Sequence, residues 1–290
     1  EGGGDSSTHG YLSSFDTDGF SSANGSSNNL EFNQSGDTFV AWNWKAGGSA
    51  SSNSNGSITS SVSANTTVGF SIVSYTGTGS QATVGHGLGV APSVLIHKKR
   101  TTSAEAWSVF HQSVGITKRM ILSSTEAETA DASPQPDWND VLPTSSVFTI
   151  GTSSRTNASE NYICYAFAEK KGYSKFGSYT GNGNADGTFV YTGFKPAFLI
   201  VKRTDSAGYD WLMYDNKRQV SFNVIDDFLK PNLSDTETTG NANQSLDFLS
   251  NGVKHRGNGA SSNGSGATYI YMAFAESPFV NSKGVPNNSR

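Results

Sequence analysis

The sequence predicts an all-β protein: tandem antiparallel β-sandwich units of jelly-roll type, each about a hundred residues long, two complete and one an N-terminal half. Three observations predict it. The 290 residues are dominated by Ser, Thr, Asn and Gly, with 32 glycines and only 15% charged residues, so turn formers abound and helix formers are scarce. Apolar residues come in short runs of strand length, separated by turn signals. Finally, blocks recur at a fixed distance: Tyr75 to Tyr179, Pro92 to Pro196 and Trp107 to Trp211 are each 104 residues apart. A constant offset marks duplication of one structural unit. Low hydrophobicity alone would also suit a disordered chain. The 17 Phe, 11 Tyr and 5 Trp exclude that, because they lie in periodic clusters and each ring can bury roughly 150–250 Å².

Residues 1–48 form the half unit. Phe15-Asp16-Thr17-Asp18-Gly19-Phe20 parallels Phe248-Leu249-Ser250-Asn251-Gly252-Val253 and reads as a hairpin turn. Asp16 and Asp18 open like a calcium loop, but the distal oxygen ligands such a loop requires do not follow. The run Phe39–Lys45 shares the rhythm of Tyr162–Glu169 and Tyr269–Glu276, a closing strand for each unit. Half a β-domain cannot cover its own apolar face. It must pack on the rest of the chain, on a partner subunit or on a missing N-terminal part, and a start at Glu1 rather than Met fits processing or truncation.

Residues 49–67 are expected to hold a linker and an edge strand, with the flexible stretch at 46–56 and the strand at Ser57–Val62. The first full unit occupies 68–170. It contains the alternating strand Ser71–Tyr75, the continuous apolar run Val94–Lys98, and then Trp107–Phe110, Ile121-Leu122 and Val147–Ile150. In the second unit, 171–290, Thr188–Tyr191 alternates as Ser71–Tyr75 does, and Phe198–Lys202, Trp211–Tyr214 and Phe222–Val224 are the further strand signals. Glu169–Gly172 joins the two with almost no slack. The departures from the repeat are the insertion from Glu126 to Pro143 and the loops at 232–245 and 256–267.

A net charge of −4 provides no basic field for nucleic acid or an anionic membrane. Lys98-Lys99-Arg100 and Lys202-Arg203 read as solvated strand ends. No apolar run approaches the roughly 20 residues that span a bilayer, so no membrane insertion is expected. The single cysteine excludes an internal disulfide, and Cys164, inside an apolar strand, reads as a core thiol. Five scattered histidines lack metal-ligand spacing, so neither metal nor cofactor is expected; His86, among glycines, reads as a satisfied turn histidine. No nucleophile elbow, phosphate loop or dinucleotide fingerprint is present. Trp107 and Trp211 read as core, and Trp42 with Trp44 as core or interface. Trp138 has no counterpart. With Asp137 and Asn139 it is the candidate binding site, an indole to stack a sugar beside polar groups to hydrogen-bond it; the competing role is pinning its own loop.

Taken together, Gly19-Phe20, the run Phe39–Gly48, Gly69–Gly77, Val84–Pro92 and Tyr269–Glu276 resemble a tandem-repeat domain of large structural proteins of tailed bacteriophages, particularly those infecting marine bacteria. The resemblance covers most of the chain. It implies a virion-surface, extracellular protein with no catalytic residues to carry over. The expectation is therefore a non-enzymatic tail-fibre or appendage segment contacting a host glycan or protein. It would assemble with other virion proteins and as a homo-oligomer, a trimer being one arrangement. A capsid-decoration or scaffold protein, a carbohydrate-binding module, a secreted adhesin or filament subunit, and a carbohydrate-active enzyme on the same frame stay open.

Overall fold

A computed structural model describes residues 8–17, 19–26, 33–101, 105–132, 134–219 and 221–275. The chain divides into two compact units, Glu1–Trp44 and Lys45–Arg290. The first contains one hairpin, β1 (Tyr11–Phe15) and β2 (Phe20–Ala23), in which Phe15 faces Phe20 and the Asp16 N–H donates to the Gly19 carbonyl at 2.9 Å. Asp16 accepts hydroxyl bonds from Ser14 and Ser21, as a turn carboxylate does; Asp18 lies outside the described residues. The Phe39–Lys45 run, expected as a closing strand, is irregular, and Trp42 and Trp44 are half-buried.

In the second unit every pairing between its strands is antiparallel. Its strands are β3 (Ser51–Asn53), β4 (Ser60–Asn65), β5 (Phe70–Thr76), β6 (Ala82–Gly85), β7 (Val94–Lys99), β8 (Ser108–His111), β9 (Lys118–Ile121), β10 (Thr129–Ala130), β11 (Val147–Ile150) and β12 (Asn161–Phe167). There follow β13 (Ser174–Thr180), β14 (Phe189–Tyr191), β15 (Pro196–Arg203), β16 (Leu212–Asp215), β17 (Leu246–Leu249), β18 (Gly252–His255) and β19 (Thr268–Ala275). An eight-stranded sheet, β10-β9-β8-β7-β12-β5-β4-β3, faces the pair β11-β6; a four-stranded sheet, β13-β19-β15-β16, faces β14-β18-β17. The order β5-β12-β7-β8 thus recurs as β13-β19-β15-β16, and β6-β11 as β14-β18.

Two cores separate the sheets. The first lobe buries Val73, Tyr75, Val84, Leu95, Phe148 and Cys164 among others, and the second Leu199, Val201, Tyr214, Phe248, Val253 and Tyr269. One polar device closes both. In the first lobe the Tyr75 hydroxyl donates to Thr156 O, the Tyr162 hydroxyl donates to Ser154 O, and Asn157 Nδ2 donates to Ser80 O and Gly151 O. In the second, Tyr179 reaches Ser262 O, Tyr269 reaches Ala260 O, and Asn263 Nδ2 reaches Asn184 O and Gly257 O. Each ring buries its apolar body while its hydroxyl ties down the crossing loop.

Several expectations need correction. The stretch 46–56 is not a free linker: β3 pairs with β4, and Asn53 Oδ1 lies 2.0 Å from where a Cβ on Gly85 would stand. Glycine there lets the segment lie against β6. Phe222–Val224 is not a strand, because the Asn223 side chain donates to Phe248 O and accepts from Phe248 N, replacing a backbone ladder. Trp107 is half-buried whereas Trp211 is core. Lys202 is not a solvated strand end: it is fully buried, and Nζ donates to Thr125 O and Tyr209 O. Burial pushes its ammonium pKa down to about 8.

Candidate functional site

The 126–143 insertion folds into a recess on the first lobe. Asp131, just after β10, is buried, and its two carboxylate oxygens accept the backbone N–H groups of Asp137 (2.6 Å) and Trp138 (2.8 Å), closing the loop on itself. Burial pushes the Asp131 carboxyl pKa up, opposed by those two N–H donors and by Arg119. Asp137, also buried, accepts from Ser108 Oγ on β8 and from Arg155 Nε at 3.2 Å, while Arg119 Nε stands 3.8 Å away. The Gly151 N–H donates to Asp137 O and the Thr152 N–H to Pro136 O, stitching the loop to the strand end after β11. A side chain at Gly151 would meet Pro136 O at 2.0 Å, so glycine permits that approach.

These clamps decide where the candidate residues lie. Trp138 is 0% exposed. Its indole packs against His97 with ring centroids 5.2 Å apart and edge-on to Phe110 at 6.1 Å, so it holds the loop on the core and presents no face to a sugar. Asp137 is sealed beneath the loop. Asn139 alone of the three reaches a cavity, together with its neighbour Asp140. Both hold left-handed backbone, φ 52° and 56°, a conformation Asn and Asp tolerate better than other side chains.

The cavity is open to solvent, has a volume of about 520 Å³, and is lined by Thr117, Asp131, Ala132, Pro134, Pro136, Asn139, Asp140 and Thr152. Thr117 and Thr152 come from distant stretches of chain and carry no motif, so only folding reveals them. The Asn139-Asp140 pair, following a Trp pinned by carboxylates, is the one signal the sequence offers. His86, in contrast, is a satisfied turn residue: it is buried, with Nε2 3.1 Å from Thr144 O and Nδ1 accepting from Leu88 N. Among the described residues, no three His, Cys, Asp or Glu side chains converge as a metal site, and no helix is long and apolar enough to cross a membrane.

The second unit is thus a pair of antiparallel β-sandwich lobes, the first of which carries a recess of mixed polar and apolar lining. Residues 3–278 match DUF7483, described as a domain of unknown function, and the chain belongs to that family. No curated protein and no solved structure matches the chain.

Proposed function

We propose that the chain is a non-enzymatic structural and recognition protein of a bacteriophage virion surface, a tail-fibre or appendage segment that contacts the host through the 131–140 loop. The observation that carries this reading is the recess itself. It is built on an insertion the duplication did not keep, and buried clamps fix it in advance. Preorganised loops on a rigid sandwich suit recognition. Thr117, Thr152, Asn139 and Asp140 line the recess beside Pro134 and Pro136, polar groups set among apolar ones, which suits a hydroxyl-rich ligand such as a surface glycan. The deeper carboxylates of Asp131 and Asp137 are engaged by N–H groups, a hydroxyl and arginines, which favours a structural over a catalytic role for them.

The test is binding of the purified chain to an array of bacterial surface glycans, compared with the Asn139→Gly/Asp140→Gly variant. Glycine keeps the left-handed backbone while removing both side chains. Retention of specific glycans by the native chain, at least tenfold weakened in the variant at unchanged melting temperature, is expected. Equal binding by both proteins, or none by the native chain, overturns the recess as a recognition site. Immunogold labelling confined to the capsid shell would favour a decoration protein instead.

A further inference from the structure

The two lobes differ at one matched edge. In the first, the outer edge of β6 is closed by its own chain: Ile58 bridges Val84 in parallel, the Ile58 N–H donates to Thr83 O at 3.0 Å, and Ser60 Oγ donates to Gly85 O at 2.8 Å. Gly85 and Gly87 have no side chains there, and Val62 Cγ1 lies 3.0 Å from where a Gly87 Cβ would be. One repeat later, 104 residues on, those two glycines become Phe189 and Tyr191. The edge strand is now β14, bonded among the described residues to β18 alone. Its rings are 44% and 64% exposed on the outer face, while Val190 between them points into the core.

Edges of this kind are normally blunted by charge, proline or a covering segment. The neighbouring edge of β13 shows such protection, since Gln112 Nε2 donates to Phe176 O and Glu169 Oε2 accepts from Phe176 N. Thr188-Phe189-Val190-Tyr191-Thr192 contains no charge and no proline.

The geometry points to β14 as a self-complementary edge that pairs antiparallel with β14 of a second copy of this chain. Val190 and Val253 form a pair directly opposite each other on the inner side, and the bond from Thr192 N to Asn251 O lies in the same ladder. Alternation therefore turns the N–H and C=O groups of Phe189 and Tyr191 toward the open edge. A twofold axis at Val190 sets Phe189 of one copy opposite Tyr191 of the other, twice. The pairing makes four backbone hydrogen bonds and two cross-strand aromatic pairs. Charge agrees with this direction: Asp186, with 85% of its side chain exposed, precedes the strand and Lys195 follows it, so only antiparallel pairing sets the acidic end against the basic end. Asp186 is already paired with Lys254 at 2.7 Å, so the charge contribution is small. A three-residue edge buries far less than the roughly 1,200 Å² of stable complexes, so the dimer is weak alone and gains strength where copies are held close.

This inference is independent of the recess. Sedimentation equilibrium of the full chain, from about 10 µM to about 1 mM, tests it. A reversible dimer is expected, weakened at least tenfold by Tyr191→Lys, and likewise by Phe189→Lys. The double variant Phe189→Lys/Tyr191→Glu should recover it, because the register sets the new lysine opposite the new glutamate. Circular dichroism establishes that each variant is folded, and the surface-exposed Tyr191 change serves if the Phe189 change does not fold. A monomer throughout the range, or association that Tyr191→Lys leaves unmoved, overturns the pairing.

Discussion

His97 shows how far one buried residue can depend on its surroundings. It sits on β7 at 0% exposure, between Trp138 and Phe148, and among the described residues neither ring nitrogen has a hydrogen-bond partner. Burial pushes its pKa down to about 3, against a small opposing pull from Asp137, and burial likewise holds His111 and His255 at about 4. The unfolded chain binds these protons near pH 6.5, whereas the folded chain refuses them. Below pH 6.5 the unfolded state therefore holds more protons, and stability falls as pH falls, by up to about 1.4 kcal/mol per pH unit for each histidine until its folded pKa is reached. His97→Phe should flatten this dependence. Urea midpoints at pH 7, 5.5 and 4.5 should decline less steeply in the variant than in the native chain; parallel declines would show that His97 is not a source of the acid sensitivity.

At the scale of elements, strands are legible where alternation or a continuous apolar run survives, as in β5, β7, β14 and β15. The closing device is only half legible. Tyr75 and Tyr179 keep the 104-residue offset, but Asn157 and Asn263 are 106 apart, and Tyr162 and Tyr269 are 107 apart. Small insertions slide the second half of each unit, so the asparagines lose their sequence match while keeping the same partners. The buried lysine is not legible, and of the recess only Asn139 and the insertion that carries it are, since Lys202 is satisfied by loop carbonyls and Asp131 by N–H groups six and seven residues on. Composition also misreads 46–56, where Ser, Asn and Gly signal flexibility but the bare backbone of Gly85 offers that segment a seat. If the asparagines are equivalent, the same change should act locally in each lobe. Asn157→Ala and Asn263→Ala should each cost about 1–3 kcal/mol, through the carbonyl and N–H partners left unsatisfied. Hydrogen exchange should rise in the mutated lobe before the other. A uniform rise across both lobes would argue against a lobe-specific closing device.

Across the whole second unit, the lobes are joined by far more than Glu169–Gly172. Trp211 Nε1 donates to Ile121 O at 2.9 Å, His111 Nε2 stands 3.2 Å from Tyr271 O, and the Glu128 N–H donates to Thr204 O. The Gly208 N–H donates to Thr125 O, so the start of the recess insertion is annealed to the second lobe. At the centre, Phe167 from the first lobe meets Phe176 and Phe274 from the second edge-on, with ring centroids 6.2 and 5.8 Å apart and ring planes crossing at 62° and 66°. All three rings are buried, so separating the lobes would expose aromatic surface as well as unpaired backbone groups. That cost couples them: the native lobes should unfold in one calorimetric transition. Phe176→Ala removes one of three mutually packed rings, and a loss of about 3–5 kcal/mol is typical for a buried Phe. Because Phe176 serves the junction, the loss should fall mainly on the coupling, and two transitions should replace one. A single transition at lower temperature in the variant would place the coupling in the hydrogen bonds of Trp211, Glu128 and Gly208, and two transitions in the native chain would show that the junction does not unite the lobes.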